Sequence, residues 1–342
     1  MPADLSAVPK AELHVHLEGT ATPALVRQLA ARNGMSLPKA LFAEEDAFAW
    51  NDFLHFLETY DQAASVIRTP EAYRDVTYDY LSRCSAEGVI YCEMMSSPDH
   101  AAANGMSYRD HLDGIAAGID DARRDHGIEG FIIVTCVRHF GVERAMSVAR
   151  DTLRHDHPLV VGFGMGGDEL GFPPGLFTEV FALVAGEGLP CTVHAGEFGD
   201  PASIRQALDL LPVVRLGHGV RAAEDPALVE ELIRRDIVLE CCPTSNIATK
   251  VFPDYASHAF VALRDAGVKL TLNSDDPPFF HTSVGLEYAV ARDHFGLDEK
   301  DLRGITHTAL EAGFAPEALR RGLMAAHGLC GNNDISKKEP AP

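Results

Sequence analysis

The stretch that decides the fold is LPCTVHAGEFGDPASIRQALDLLPVVRLGHG, residues 189–219. It opens with a short apolar run that ends in His194 and Glu197, continues into a helical pattern over residues 201–211, and closes with a second apolar run that ends in His218. The two histidines are 24 positions apart, about one strand–helix unit. A strand, a helix and a strand in this order predict two parallel strands joined by a helical crossover.

The same alternation runs along the chain. Eight short apolar runs end in small or polar residues, and they are AELHVHLEGT (11–20), GVIYCEMMSSP (88–98), GFIIVTCVRHF (130–140), LVVGFGMGGDE (159–169), LPCTVHAGE (189–197), VVRLGHG (213–219), DIVLECCPTSN (236–246) and GVKLTLNSDDP (267–277). Helical patterns lie between them, over residues 108–127, 175–188, 201–211, 225–235 and 258–267. Strands apolar on both faces are covered on both sides, so eight such units predict an α/β fold, a (β/α)₈ TIM barrel, rather than an open doubly wound sheet.

One segment interrupts the rhythm. Residues 20–86 are too long for a single crossover and contain the amphipathic stretch FAWNDFLHFLETYDQ (48–62). We expect extra helices inserted after strand 1, which cap the barrel and can also form a lid, since long insertions after a barrel strand lie at the catalytic face. No linker or repeat appears before the polar tail. The sequence therefore predicts one domain over residues 1–333 and a disordered tail over residues 334–342.

Composition limits the possible partners. The chain has 342 residues, 46% of them hydrophobic, and a formal net charge of −21, which repels phosphate backbones and anionic lipid. No run approaches the roughly 18 apolar residues of a membrane span, and MPADLSAVPK at residues 1–10 has no basic segment followed by an apolar core, so we expect no signal peptide. Seven cysteines without a CxxC pair indicate reduced thiols. We expect a cytoplasmic protein with a small-molecule ligand, no nucleic acid and no membrane; the oligomeric state stays open.

Polar side chains end four of the predicted strands. They are His14 and His16 on the first strand, His194 and Glu197 on the fifth, His218 on the sixth, and Asp275 and Asp276 after the eighth. Alternate residues of a strand share one face, and all strand ends of a barrel open at one mouth, so these groups are expected to converge. Histidines with an aspartate suit a borderline divalent ion, and three or four protein ligands with an open position are typical of catalytic zinc.

The motifs ELHVHLEG (12–19), GGDE (166–169), HAGE (194–197), LGHG (216–219) and LNSDDP (272–277) together resemble the adenosine deaminases of the amidohydrolase superfamily. The resemblance runs from about Pro9 to EAGF at Glu311. It implies one zinc ion per chain, held by His14, His16, His194 and Asp275.

The resemblance also implies roles around the substrate. Glu197 matches the acid that protonates purine N1, and His218 the residue that orients and deprotonates the attacking water, with Asp275 beside it. The partner of purine N7 corresponds to Asp276, and Gly167 to a backbone donor to N3. The position of Glu18 touches the sugar in the family, where it is commonly Asp.

The chemistry agrees with these roles. Replacing an aromatic amine by oxygen requires a nucleophile stronger than water, which zinc supplies, and a ring made electron-poor by protonation. Glu197 must therefore carry a proton, which a dry pocket beside other carboxylates favours.

The resemblance leaves the substrate between two classes. HLEG with Glu occurs in adenine-type members, whereas GGDE resembles the nucleoside-type members and lies against the purine edge. We therefore predict zinc-dependent deamination of adenosine, and of 2′-deoxyadenosine, in purine salvage. The alternative is adenine deamination, or that of another 6-aminopurine such as 6-aminofutalosine.

Three other classes are disfavoured by the residues. The fourth strand has no Lys to bridge two metals, as dinuclear amidohydrolases require, and the His-x-Glu and Pro-Cys-x-x-Cys motifs of cytidine-type deaminases are absent. A binding barrel without catalysis would have lost Glu197 or His218 first. Of the other histidines, His139 and His281 are expected nearest the mouth, and Cys241 and Cys242 are expected to pack in the core.

Overall fold

Eight parallel strands follow one another in a single sheet, in sequence order, in the computed structural model, which describes residues 5–329. The strands are β1 (Lys10–His16), β2 (Val89–Ser96), β3 (Glu129–Val137), β4 (Val160–Gly166), β5 (Cys191–Ala195), β6 (Val213–His218), β7 (Val238–Cys241) and β8 (Lys269–Leu272). Each coincides with one of the eight apolar runs, although β1 and β3 begin one residue before theirs. The predicted (β/α)₈ barrel is confirmed.

Fifteen α-helices surround the strands within the described residues. They are α1 (Pro23–Arg32), α2 (Phe53–Ala64), α3 (Pro70–Ala86), α4 (Pro98–Ala103), α5 (Tyr108–His126), α6 (Val142–Arg154), α7 (Thr178–Gly186), α8 (Pro201–Leu210), α9 (Pro226–Arg234), α10 (Pro243–Ala248), α11 (Phe260–Ala266), α12 (Pro277–Phe280), α13 (Val284–Phe295), α14 (Glu299–Ala312) and α15 (Glu317–Ala326). No helix in residues 5–329 is both long and apolar enough to cross a bilayer.

The barrel closes between β1 and the chain that follows β8. Val15 forms a parallel bridge with Asp275. The amide of Asp275 donates to the carbonyl of His14 at 3.1 Å, and the amide of His16 donates to the carbonyl of Asp275 at 3.0 Å. Closure therefore joins the strand with two predicted ligands to the residue that carries a third.

Two of the crossover helices, α8 and α9, begin where an aspartate precedes a proline. Asp200 before Pro201 accepts hydrogen bonds from the amides of residues 202 and 203, and Asp225 before Pro226 accepts from those of residues 227 and 228. Proline at the first helical position has no N–H to leave unpaired, and the aspartate satisfies the next amides. These caps start α8 and α9 soon after the strands that carry His194 and His218.

The segment between β1 and β2 contains three α-helices, α1 to α3, as expected of an insertion after strand 1. The prediction of a single domain over residues 1–333 stays a prediction, and the predicted tail at 334–342 lies outside the described residues. The six described cysteines are all buried and unpaired.

The interior of the barrel near its floor contains a buried ion cluster. Arg215 on β6 lies 2.8 Å from Glu93 on β2 and 2.7 Å from Glu240 on β7, and all three side chains are at most 1% exposed. The Arg215 guanidinium also stacks 3.6 Å from the Phe314 ring centroid and donates to the carbonyl of Ala312 at 3.0 Å. The cluster thereby ties three strands to the segment after α14.

The first prediction concerns this cluster. Arg215→Met should lower the free energy of unfolding by about 3–5 kcal/mol, because two buried carboxylates lose their cation. Urea denaturation followed by circular dichroism measures the change. Arg109→Met, at a side chain 79% exposed, is the control and should leave the midpoint in place. An unchanged midpoint in Arg215→Met would contradict a stabilising role for the buried ion cluster.

Candidate active site

The predicted site residues meet where the carboxyl ends of the strands open. A pocket at this end is lined in part by His16, Glu18, Gly167, His194, Glu197, His218, Asp275 and Asp276. His14 lies fully buried beneath it. Every predicted site residue therefore lies in, or directly under, one pocket.

Imidazole nitrogens and one carboxylate oxygen converge at the base of this pocket. The Nε2 atoms of His16 and His194 are 3.1 Å apart, and Asp275 Oδ1 lies 3.3 Å from His16 Nε2 and 3.5 Å from His14 Nε2. His14 Nε2 is buried and has no hydrogen-bond partner. Three imidazoles and a carboxylate are a donor set that suits a borderline divalent ion, so the four predicted ligands fit a single metal centre.

The other ring nitrogens are held from outside the cluster. His194 Nδ1 lies 2.9 Å from the carbonyl of Met165, and His14 Nδ1 lies 2.9 Å from Glu240 Oε2. Because a carbonyl and a carboxylate only accept, both Nδ1 atoms carry the proton and donate. The Nε2 atoms then face the cluster, which is the arrangement in which histidines bind metals.

Charge in the cluster also calls for a cation. Burial works against a charged His14, but the nearby carboxylates of Asp275 and Glu240 outweigh it and raise the His14 pKa to about 10. Burial and the neighbouring imidazoles hold the pKa of His194 well below its usual value. A metal ion would take the place of the second proton, the one on His14 Nε2, while the Nδ1 proton stays on its hydrogen bond to Glu240.

His218 lies at the edge of this cluster. Ligand-type atoms of His14, His194, His218 and Asp275 are within 4.8 Å of one another, and those of His16, Asp275 and Asp276 form a second such group, so spacing alone does not select His16 over His218 as the third imidazole. The contact from His218 Nε2 to Asp275 Oδ2 is 3.9 Å, longer than the 3.3 Å contact of His16 to the same carboxylate. The shorter contacts favour the predicted set.

Two of these residues have left-handed backbone conformations. His218 has a φ of 58° and Asp275 a φ of 63°, which is uncommon for residues with a side chain. Such conformations are costly, persist only where the surroundings impose them, and cluster at functional sites. At Gly217, the residue before His218 on β6, a Cβ atom would lie 2.7 Å from His14 Cε1, so only glycine leaves the His14 ring in place.

Glu197 is buried at the pocket wall, 5% exposed, with Oε2 3.6 Å from His218 Nε2. Burial, together with the charges of Asp275 and Glu169, raises the pKa of Glu197 well above its usual value. This shift favours the protonated carboxylic acid, which is the form that can donate a proton.

Glu169 holds the loop that carries Glu197, a contribution that the sequence did not predict. Its carboxylate accepts hydrogen bonds from the backbone N–H groups of residues 196, 197, 198 and 199, at 2.6–3.1 Å, and from Ser203 Oγ at 2.8 Å. Burial alone would raise the pKa of Glu169, but the Gly199 amide and the Arg138 guanidinium lower it. GGDE was recognised as a motif, yet nothing in it indicated that its glutamate binds the HAGE loop.

Asp276 and Gly167 both line the pocket. Asp276 offers an unpaired side-chain oxygen, and Gly167 offers its backbone. Asp276 Oδ1 is buried without a partner, and burial with the neighbouring charge of Asp275 raises the pKa of Asp276. Asp276 occupies the N-cap position of α12, but its side chain makes no cap hydrogen bond. Gly167 has a φ of +100°, and a Cβ there would lie 2.6 Å from His139 Nδ1.

Glu18 is 2% exposed and is engaged by four donors. Its Oε1 accepts from Ser96 Oγ at 2.6 Å, from the Ser97 amide at 3.2 Å and from Tyr73 at 3.3 Å, while Oε2 accepts from Tyr60 at 3.3 Å. Ser96 is also 2.8 Å from His111 Nε2. Glu18 is therefore a fixed part of the pocket wall, built by β2 and the inserted helices.

The inserted helix α2 covers the pocket, as the amphipathic pattern suggested. Phe53, Phe56, Leu57 and Tyr60 all line it. The Phe53 ring lies 4.2 Å from that of Phe198 in the loop after β5. The aromatic face of the insertion therefore packs on the catalytic end of the barrel and shields it from water.

The remaining predictions concern residues without an assigned role. His139 lines the pocket, as expected, whereas His281 is exposed at the end of α12 and does not. Cys241 and Cys242 are fully buried and do not line the pocket, in agreement with a packing role.

Comparison with known proteins places this geometry in a family. The family model of adenosine deaminases matches residues 9–326. The adenine deaminase of Chelativorans sp. (strain BNC1) is 48% identical over 316 residues, which are 92% of this chain and 97% of that protein. The adenine deaminase of Agrobacterium fabrum is 44% identical over 319 residues, 93% of this chain and 98% of that protein.

Solved structures agree with the sequence comparison. The adenine deaminase from Arthrobacter aurescens has a TM-score of 0.86 at 29% identity, covering 94% of this chain and 98% of that one. A cog1816 amidohydrolase from Burkhoderia ambifaria with bound Zn has a TM-score of 0.87 at 26% identity, covering 95% and 91%. The chain therefore belongs to the adenosine deaminase family and is a hydrolytic deaminase of the amidohydrolase type that acts on purines.

Proposed function

We propose that this protein deaminates free adenine, replacing the 6-amino group by oxygen from water and releasing ammonia and hypoxanthine. The relatives that are 48% and 44% identical over nearly the whole chain are both named adenine deaminases. They favour adenine, the alternative substrate of the sequence analysis, over the predicted substrate adenosine.

The structural observation that carries the substrate choice is the engaged carboxylate of Glu18. Its Oε1 already accepts three hydrogen bonds from the protein, and only Oε2, with one, has an acceptor position left. A ribose at this wall would find little free hydrogen-bonding capacity and would have to displace buried groups. A free base carries a ring N–H where a nucleoside carries its sugar, and one remaining acceptor suits such an N–H.

We further propose one zinc ion per chain, held by His14, His16, His194 and Asp275. The geometry of these groups fits a single ion, and a solved relative with the same fold was obtained with bound zinc. A zinc ion at this position would supply Lewis acidity, which lowers the pKa of water towards neutrality.

The chain's own residues supply the proton transfers. Glu197, whose raised pKa favours the acid form, would give its proton to ring nitrogen N1 and so make C6 electrophilic. His218 Nε2 and Asp275 Oδ2 are 3.9 Å apart and would lie next to the attacking water and the leaving amine. Asp276 would bind N7, since its raised pKa keeps a proton available for donation, and the backbone of Gly167 would face N3.

The reaction belongs in a reducing compartment. The six described cysteines are buried thiols, and we propose that the protein works in the cytoplasm, where thiols stay reduced.

The second prediction concerns the metal. The purified protein should contain about one zinc per chain, and His194→Ala should lose both zinc and activity while keeping its far-ultraviolet circular dichroism spectrum, because the barrel core does not depend on the ion. Metal analysis and ammonia release measure this. His281→Ala, at an exposed histidine, is the control and should retain both. Two tightly bound ions per chain, or full activity without metal, would contradict the mononuclear site.

The third prediction concerns Glu197. Glu197→Gln keeps the shape but cannot transfer a proton, so kcat should fall by about 10² to 10⁴ while KM changes little. Steady-state kinetics with adenine measure both constants. The control is Glu187→Gln, at an exposed glutamate, which should behave as wild type. A loss confined to KM would make Glu197 a binding residue instead.

The fourth prediction tests the substrate. Wild-type kcat/KM should be higher for adenine than for adenosine or 2′-deoxyadenosine. Glu18→Ala should lower kcat/KM for adenine by about 10-fold to 100-fold, since a buried hydrogen-bond partner is lost, and should raise it for adenosine by opening the wall. Glu58→Ala, exposed on α2, is the control. Wild-type preference for adenosine would overturn the proposed function.

A further inference from the structure

The ring of His218 is held from behind by a buried chain of hydrogen bonds that neither the sequence motifs nor the proposed function uses. The backbone N–H of Phe260 donates to His258 Nδ1 at 3.0 Å. His258 Nε2 lies 3.1 Å from Asn246 Oδ1, and Asn246 Nδ2 lies 3.2 Å from His218 Nδ1. Asn246 and His218 are at most 1% exposed and His258 is 5% exposed.

The first link fixes the proton of His258. A backbone N–H can only donate, so His258 Nδ1 must accept. Burial lowers the pKa of His258 to about 4, so this ring is neutral at pH 7 and has one proton, on Nε2. His258 Nε2–H therefore donates to the next group in the chain.

The second link fixes the orientation of the Asn246 amide. The atom that receives the His258 Nε2–H must be an acceptor, so it is Oδ1, and the amide cannot be turned over without setting two donors against each other. The Nδ2 group then faces His218. The Asn246 amide therefore has one orientation, in which it accepts from His258 and donates to His218.

The third link fixes the proton of His218. Because an amide NH₂ group only donates, His218 Nδ1 must accept, and the ring proton lies on Nε2. That nitrogen faces two acceptors, Glu197 Oε2 at 3.6 Å and Asp275 Oδ2 at 3.9 Å. A neutral His218 thus presents an N–H, and not a lone pair, to the catalytic pocket.

We propose that Asn246 and His258 are positioning residues that hold His218 in its Nε2–H tautomer, so that His218 enters the reaction as a hydrogen-bond donor. The consequence differs from the role implied by family resemblance, in which His218 takes a proton from the attacking water. With its Nε2 already protonated, His218 can neither bind the metal ion through that atom nor accept the first proton. The carboxylate of Asp275 is then the acceptor next to it. This inference rests on the proposed deaminase site but not on the choice between adenine and adenosine.

The fifth prediction is a direct observation of the proton. In zinc-loaded protein labelled with ¹⁵N-histidine, NMR correlation of ring carbon-bound protons with both ring nitrogens distinguishes the two tautomers. His218 is assigned by the signal that disappears in His218→Asn. We expect a protonated Nε2 and an unprotonated Nδ1 on His218 without substrate. A proton on Nδ1, alone or together with one on Nε2, at neutral pH would overturn the proposal.

Substitutions in the hydrogen-bond chain behind His218 test its effect on catalysis. Asn246→Asp replaces a donor by an acceptor of the same shape, which draws the His218 proton to Nδ1. We expect the NMR signature to switch and kcat to fall by about 10² to 10⁴, with KM changed less than about threefold. Asn33→Asp is the matched control, since its Nδ2 only donates to the carbonyl of Val66 at 2.8 Å, far from the pocket. It should retain the wild-type tautomer and kcat.

His258 provides a conservative pair. His258→Gln retains an N–H group that can reach Asn246 Oδ1, and should keep the Nε2–H tautomer and most of kcat. His258→Phe removes that donor, releases the Asn246 amide, and should lose both. If both His258→Phe and Asn246→Asp kept the wild-type kcat and the wild-type tautomer of His218, the hydrogen-bond chain would serve only packing, and the proposal would be wrong. If Asn246→Asp does not fold, the wild-type NMR measurement still decides.

Discussion

The closure of the barrel through Asp275 is the constraint on which the site depends. The backbone of Asp275 bridges to β1, donating to the carbonyl of His14 and accepting from the amide of His16, while its side chain lies between the same two histidines. One residue therefore completes both the sheet and the ligand cluster. Its left-handed backbone, φ 63°, is a costly conformation that persists only where the surroundings impose it, as the bridge to β1 does here.

Outside this junction, the ligands are oriented by groups deeper in the barrel. His14 is held by Glu240, and Glu240 is held by Arg215, which also pairs with Glu93 near the floor. Metal ligands are commonly fixed by carboxylates of this kind, which set the tautomer and the ring orientation. The same buried charges that stabilise the barrel thus position a ligand at its mouth. Stability and chemistry share residues here, which explains why the barrel interior contains charges at all.

Much of the fold was predictable because its signals are local. Each strand is a short apolar run, and the histidines and aspartates at the strand ends are brought together by any barrel that closes in sequence order. For this reason His14, His194, His218 and Asp275 could be assigned from spacing and resemblance. The inserted helix α2 was also visible, since its aromatic residues repeat with helical period.

The groups that tune the site were not predictable, because their partners are distant in sequence. Glu169 looked like part of a motif, but it binds a loop almost thirty positions further along the chain. Ser96 and Tyr73 gave no signal that they hold Glu18, and without them Glu18 could be interpreted as free to bind a sugar. The adenosine prediction depended on GGDE, which was interpreted as lying against the purine edge, whereas Glu169 of that motif binds the HAGE loop. Asn246 and His258 were missed for the same reason, since the direction of an amide is defined only by the neighbours on both of its sides.

The most direct measurement is the incubation of the zinc-loaded protein with free adenine in water enriched in ¹⁸O, followed by mass spectrometry of the purine and assay of ammonia. Hydrolytic deamination at C6 predicts hypoxanthine with one ¹⁸O atom and one equivalent of ammonia for each adenine consumed, and neither product after zinc is removed. Unchanged adenine, or a purine product that carries no ¹⁸O, would contradict hydrolytic deamination of adenine by this protein.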